Sequence, residues 1–437
     1  MSDYVYMLES HLNPDQNRVV EEVMAVAGEA NVNIFLTGGA MRDMLAGFRI
    51  RDLDFVVEGN ALKLARTVCD RSGARMVSSD ENRKCADLLF PSGVTVQIAM
   101  SRQEKYARTG AKPQVSSATI QEDLRGRDFT CNAIALSLNR ASRGLLLDPM
   151  NGLADIERHE LRAVSTYGFY DDPTRLLRLV RLRVRLGFTV EERTRMQVAN
   201  AREAEVEKLI PPRAVAEELK RISSEEAPAE ILRILDEERL LVSASPLLAA
   251  PKLNLAGMAK LEKINHMLPD DVQSRAARVG PFLYVLVEKL TPKEKQTLVK
   301  SLEMPKADVD AWQKLEARSK KLETALRSAR IRKASQVYQI VSTAPVDEVA
   351  FLLYHSGLKP VQERLRAYFQ KYLPAVLEIP PEEWPVPEAK PGSAKFQKVR
   401  DEFIANRLDR RPPRKPPIET PPPPPVVEPA AVVRRAR

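Results

Sequence analysis

Two aspartates one residue apart, Asp52 and Asp54, follow a double glycine in the stretch 34–59, IFLTGGAMRDMLAGFRIRDLDFVVEG. The stretch reads as strand, tight turn, short helix and second strand. On a strand, side chains at i and i+2 share a face, so the two acids project together while Leu53, Phe55 and Val57 take the opposite, core-facing side. Two neighbouring carboxylates make a hard oxygen site suited to Mg²⁺. Gly38 and Gly39 permit close approach of backbone to a ligand, and the helix after them begins with N–H groups that favour phosphate oxygens. Arg42, one helical turn in, carries the planar fork that grips a triphosphate. Together these parts suit metal-assisted nucleotidyl transfer. Metal ions there activate an attacking hydroxyl and steady the leaving pyrophosphate, so no protein nucleophile is needed.

The run GGAMRDMLAGFRIRDLDFVVEGNA resembles the signature of the class II nucleotidyltransferases, which comprise the bacterial tRNA CCA-adding enzymes, A-adding enzymes and poly(A) polymerases. The resemblance implies an α+β fold, with a small mixed-sheet head followed by an elongated all-helical neck, body and tail. It also implies Mg²⁺-dependent, template-independent addition of C and A to a tRNA 3′ end from CTP and ATP. Asp52 and Asp54 then hold the metal. Relatives carry a third acid on a neighbouring strand, where this chain has Gln97, and Glu104 is the nearby acid able to substitute. Residues 102–114 read as a mobile basic loop. Arg102, Glu104 and Tyr106 match the family's Arg-x-Glu-x-Tyr pattern, whose loop repositions the enzyme between C and A addition. In EDLRGRDFTCNAIALSLN, Arg127, Asp128 and Asn132 match the family's Arg-Arg-Asp-Phe-Thr-x-Asn-Ala motif, with Gly126 in place of the first arginine. Arg127 is expected to contact nucleotide phosphate or sugar, and Asp128 to hold Arg127 or the ribose hydroxyl. Ala133, Ala135 and Leu136 are expected to continue as a core helix.

The second informative stretch is FYDDPTRLLRLVRLRVRLGF, residues 169–188. Asp172 before Pro173 is a helix start on local grounds alone, with Asp as cap and Pro as first helical residue. Asp172 and Arg175 stand three apart and meet on one face. An Asp accepts hydrogen bonds and an Arg donates them. Cytosine and adenine both present an amino donor beside a ring acceptor, so one Asp–Arg pair satisfies both and rejects uracil and guanine. The family's Glu-Asp-x-x-Arg motif does this, with Asp171 in the glutamate position. Arg178 and Arg181 continue the stripe, Arg185 follows, and the triphosphate or RNA end is their expected ligand.

These motifs occupy less than half of 437 residues, a length that calls for more than one packed unit. The expected division is a nucleotidyltransferase head over 1–150, a helical neck over 151–240, a helical body and tail over 241–378, and a proline-rich, extended and disordered tail over 379–437. The net charge of +9 points to a polyanionic partner. Arg213, Lys220, Arg221, Lys320, Lys321, Arg330, Arg332 and Lys333 are expected on the tRNA acceptor arm. Three scattered cysteines and four histidines offer neither a zinc site nor a disulfide framework. No apolar run approaches a membrane span, and no secretory segment is evident, so the expected setting is a reducing cytoplasm. Two other readings remain beside the CCA-adding one: an A-adding enzyme or poly(A) polymerase, and an RNA-binding homologue without catalysis.

Overall fold

The computed structural model describes residues 3–269, 277–385 and 393–410. A seven-stranded sheet in the order β3-β4-β5-β2-β1-β8-β9 forms the head. Its strands are β1 (Asn33–Thr37), β2 (Leu53–Glu58), β3 (Arg75–Asp80), β4 (Cys85–Leu89), β5 (Thr95–Met100), β8 (Ala135–Ser137) and β9 (Leu146–Leu147). Only the β2–β5 pairing is parallel, which makes the sheet mixed. Strands β6 (Arg102–Lys105) and β7 (Gln114–Ser117) form a separate hairpin. The expected α+β class holds, with helices after the head.

Alternation along β2 decides where the acids go. Leu53, Phe55 and Val57 are fully buried in the main core, beneath the helices Pro14–Glu29 and Ala61–Ser72. Both helices start as their sequences dictate. Asn13 and Gln16 form a reciprocal capping box at the first, and the Asn60 side chain accepts from Lys63 N at the second. The opposite face of β2 carries Asp54 and Val56. Val56 packs with Phe35, Ala99, Ile120, Leu124 and Ala135 in a second, smaller core. The helix Ile120–Arg125 supplies that cover, and Asp54, at the start of the strand, lies in the wall of a cleft.

Three expectations change. Ala135 and Leu136 belong to strand β8, paired with β1 and β9, after a single 3₁₀ turn at Thr130–Asn132. A short, continuously buried apolar run serves a central strand as well as a helix, and β1 had an open edge to fill. Residues 102–117 are a laddered hairpin rather than a free loop, and its tip at Gly110 packs against Leu209 of the neck. Within the segment read as extended, Ala394–Asp409 form a helix capped by Ser393, with Ile404 packed against Val376 and Ile379. The stretch 411–437, which holds the densest proline run, lies outside the described residues.

Candidate functional site

A cleft of about 350 Å³ opens between the head and the neck helix Thr174–Leu186. Gly38, Gly39, Arg42, Asp54, Arg127, Asp128, Asp172, Arg175, Arg178 and Arg181 all line it. Asp52, Tyr106, Asp171 and Arg185, also singled out by sequence, are not in its wall. Asp52 is exposed at the cleft's lip, where its Oδ1 accepts from Thr95 Oγ1 at 2.5 Å.

The glycines are there because Asp54 is. Gly38 has φ +63°, and a Cβ on it would stand 3.2 Å from both Asp54 Oδ2 and Arg127 Nη1. Gly39 N donates to Asp54 Oδ2 at 3.1 Å. Burial pushes the Asp54 carboxyl up to about 6, and the charge of Asp52 adds to the push, with Arg127 and Arg42 only partly opposing it. The two acids therefore repel each other across the lip of the cleft, and a divalent cation between them would relieve that repulsion. Among the described residues no three His, Cys, Asp or Glu side chains converge on a metal position. Two carboxylates with open space beside them match Mg²⁺, which takes its remaining ligands from water and phosphate oxygens.

In the register of the sheet, Asp54 lies opposite Gln97 on β5, and Gln97 lies opposite Asp87 on β4. Gln97 Nε2 donates to Asp87 Oδ1 at 2.9 Å, so an acid does stand on this row, one strand further out than expected. Glu104 lines the cleft but is occupied by Arg102 Nε at 2.8 Å and the Tyr106 hydroxyl at 2.7 Å.

Several arginines have partners that sequence did not assign. Arg42 is buried and forks onto Asp43 Oδ1, while its Nη1 donates to Asn132 Oδ1 at 2.7 Å. Its guanidinium braces the cleft floor instead of reaching openly for a ligand. Arg127 is held by Asp123, and Asp128 is held by Arg178 Nη1 at 2.7 Å and by Asn132, so the expected Asp128–Arg127 pair is not formed. Burial works against ionisation of Asp128, yet Arg178 and Arg175 outweigh it and hold the carboxyl well below the usual range. Arg181 is buried between Glu218 and Glu225. Arg185 reaches Asp43, and Arg51 reaches Glu225, so the same network ties head to neck. The basic stripe is thus mostly neutralised architecture. Asp43, Asp123, Glu218 and Glu225 are not assigned by sequence; Asp43, beside Arg42, and Asp123, four residues before Arg127, carry a local signal, and Glu218 and Glu225 carry none.

Asp172 and Arg175 stand side by side in the cleft wall. Asp172 Oδ1 accepts from Thr174 N at 3.1 Å and from the Thr174 hydroxyl, a local turn at the helix entry; the helix itself starts at Thr174 with Pro173 in the cap position, one residue later than expected. Its other oxygen, Oδ2, lies 4.0 Å from Arg175 Nε. Arg175 spends Nη1 and Nη2 on the Arg127 and Gly126 carbonyls, and its Nε is buried without a partner. An acceptor and an unspent donor stand side by side. Of the residues expected on tRNA, Lys220 pairs with Asp308 and Arg213 with Glu217, while Arg221 pairs with Glu218 and lines the cleft.

Residues 34–162 match the poly A polymerase head domain. The chain is 34% identical over 239 residues to the A-adding tRNA nucleotidyltransferase of Halalkalibacterium halodurans, covering 54% of this chain and 56% of that protein. It is 34% identical over 229 residues to the CC-adding tRNA nucleotidyltransferase of Deinococcus radiodurans, covering 52% of this chain and 59% of that one. It therefore spans little more than half the length of these curated relatives. A solved apo structure of a CCA-adding enzyme superposes with a TM-score of 0.53 at 25% identity, over 93% of this chain and 95% of that chain.

Proposed function

We propose that this chain, whose residues 34–162 form a poly A polymerase head domain, is a template-independent tRNA nucleotidyltransferase that adds C and A to the tRNA 3′ end from CTP and ATP. The observation that carries the reading is one cleft with two ends. Asp54, with Asp52 at the lip, marks the reacting end, and Asp172 with Arg175 marks the base end.

At the reacting end, Mg²⁺ held by Asp52 and Asp54 would supply charge neutralisation for the α-phosphate and an activated RNA 3′ hydroxyl. The chain's own groups do the positioning. Gly39 N is spent on Asp54, the other first-turn N–H groups of the helix Gly38–Leu45 would receive phosphate oxygens, and Arg127, fixed by Asp123, stands beside Asp54 to offset charge as the pyrophosphate departs. At the base end, Asp172 Oδ2 accepts the exocyclic amine of cytosine or adenine and Arg175 Nε–H donates to the neighbouring ring nitrogen. A guanine or uracil carbonyl against Asp172 leaves buried groups unpaired, at about 1–3 kcal/mol for each. Phosphoryl transfer depends chiefly on such positioning and charge placement.

A narrower reading, addition of A alone, is supported by the A-adding relative. Among the described residues no helix is long and apolar enough to cross a membrane. A cytoplasmic setting suits the tRNA substrate. The test uses tRNAs ending before CCA or after CC, each supplied with CTP, ATP or both, and the products are sequenced. Extension of both by the missing residues is expected. Extension of the CC-ended tRNA alone reassigns the chain as A-adding, a ladder of adenylates as a poly(A) polymerase, and binding without pyrophosphate release as an RNA-binding homologue.

A further inference from the structure

The sheet gives the cleft two flanks. In its strand order, β2 with Asp54 has β1 on one side and β5, then β4, on the other. The β1 flank runs directly into Gly38 and Gly39, with Arg127 beside Asp54, and is the phosphate side. The other flank puts Gln97, Cys85 and Arg83 into the same cleft wall. Asp87 of β4, level with Asp54 across Gln97, is two strand spacings away, about 10 Å. Arg83 lies four residues beyond it, on the turn 81–84 that enters β4.

Arg83 differs from the rest of the wall in what its charge does. The other arginines that line the cleft each donate to a carboxylate or to a backbone carbonyl. Arg83 is exposed, and among the described residues its guanidinium makes no hydrogen bond or ion pair. Its charge is nonetheless felt inside. Burial opposes ionisation of Glu104, yet Arg102, the Tyr106 hydroxyl and Arg83 outweigh it and hold that carboxyl below its usual range. The Arg83 backbone is fixed on both sides: Asp80 Oδ1 accepts from Arg83 N at 2.8 Å, and Arg102 Nη1 donates to the Arg83 carbonyl at 3.3 Å. A held stem thus carries an unspent planar fork, a form suited to a phosphodiester.

In-line transfer decides which phosphate that is. The attacking and leaving oxygens lie on opposite sides of the phosphorus, and the pyrophosphate leaves on the β1 flank. The attacking hydroxyl must then arrive over β5 and β4. We propose that Arg83 binds a backbone phosphate of the RNA strand behind its 3′ hydroxyl, and takes no part in holding the nucleoside triphosphate. This inference rests on the nucleotidyltransferase reading and assigns one flank of its cleft to the RNA.

The test compares the full-length wild type with Arg83→Ala, Arg83→Gln and Arg83→Lys. ATP and CTP are titrated calorimetrically without RNA, and binding of a tRNA ending in CC is followed between about 50 and 200 mM salt. Arg83→Ala and Arg83→Gln are expected to weaken tRNA binding about tenfold, the scale of one charge-assisted hydrogen bond. The slope of log affinity against log salt should shrink by about 0.7, one phosphate contact on a single strand. Arg83→Lys, which keeps the charge but not the fork, should restore the slope and only part of the affinity. ATP and CTP affinities should hold within about twofold, so that in incorporation assays KM for tRNA rises while kcat stays. Unchanged tRNA affinity and slope, or a larger loss of ATP or CTP binding, would overturn the assignment. Weakening that tracks a lower thermal midpoint and is equal at every salt concentration would mark Arg83 as a turn residue and overturn it too. A wild type that binds tRNA but releases no pyrophosphate refutes the nucleotidyltransferase reading itself. Normal wild-type incorporation with an unchanged tRNA KM in Arg83→Ala refutes the RNA contact alone.

Discussion

The cleft lip and the head–neck junction are both crowded with charge, and they handle it in opposite ways. At the junction the buried or half-buried cations have carboxylates: Arg181 has Glu218 and Glu225, Arg185 has Asp43, Arg51 has Glu225 and Arg178 has Asp128. Burial opposes the ionised form of Glu218, but Arg181, Arg221 and Arg178 outweigh it and hold its carboxyl down at about 2. At the lip two acids of the same sign stand together, and burial with mutual repulsion carries Asp54 up to about 6. Charge that has been matched within the chain belongs to architecture. Charge left in mutual repulsion beside an open cleft is charge awaiting a ligand.

The comparison breaks most readily at Asp54. Asp54→Asn keeps shape and one hydrogen-bond acceptor while removing a metal ligand, and should lower nucleotide incorporation by at least about 10³-fold, the scale of losing a principal electrostatic contributor. Steady-state incorporation into tRNA measures it. Retained activity would mean that the unmatched pair is not the reacting end. The matched side is tested by Glu225→Gln. Glu225 is 3% exposed and serves Arg181, Arg185 and Arg51 at once. Withdrawing its charge leaves buried guanidinium groups under-compensated and should cost about 3 kcal/mol of stability. A denaturant midpoint equal to that of the wild type would show that the junction is not held by this network.

Which half of this contrast sequence reveals follows from distance along the chain. Asp52 and Asp54, Gly38 and Gly39, and Asp172 with Arg175 are each joined by strand or helix period within a few residues, so their faces were legible. The partners of Arg181 were not, because Glu218 lies 37 positions from it and Glu225 lies 44. Stripe periodicity says which way an arginine points and nothing of what waits there. The misread of Ala135–Leu136 has a different cause, since a three-residue buried strand carries no period to detect. The helix Ala394–Asp409 was legible in principle: Ser393 caps a proline-free run, but the surrounding prolines dominated the composition.

The smallest effect sharpens the contrast most, because its sign is unusual. The folded-state pKa of Asp54, about 6, lies above the ordinary 3.8, so its stabilising contribution is complete below pH 3.8 and lost as pH rises through about 6. At neutral pH without metal the ionised side chain is a cost. Asp54→Asn should then be more stable than the wild type at about pH 7.5 in chelator, by on the order of 1 kcal/mol after discounting for its partial exposure. The gain should fade towards pH 4. Mg²⁺ should raise the wild-type thermal midpoint and leave that of the variant nearly unmoved. Removing a carboxylate at the junction destabilises, and removing this one should do the reverse. A variant less stable than the wild type at neutral pH in chelator would show that Asp54 is an architectural acid like Glu225, and the distinction between the two regions would be lost.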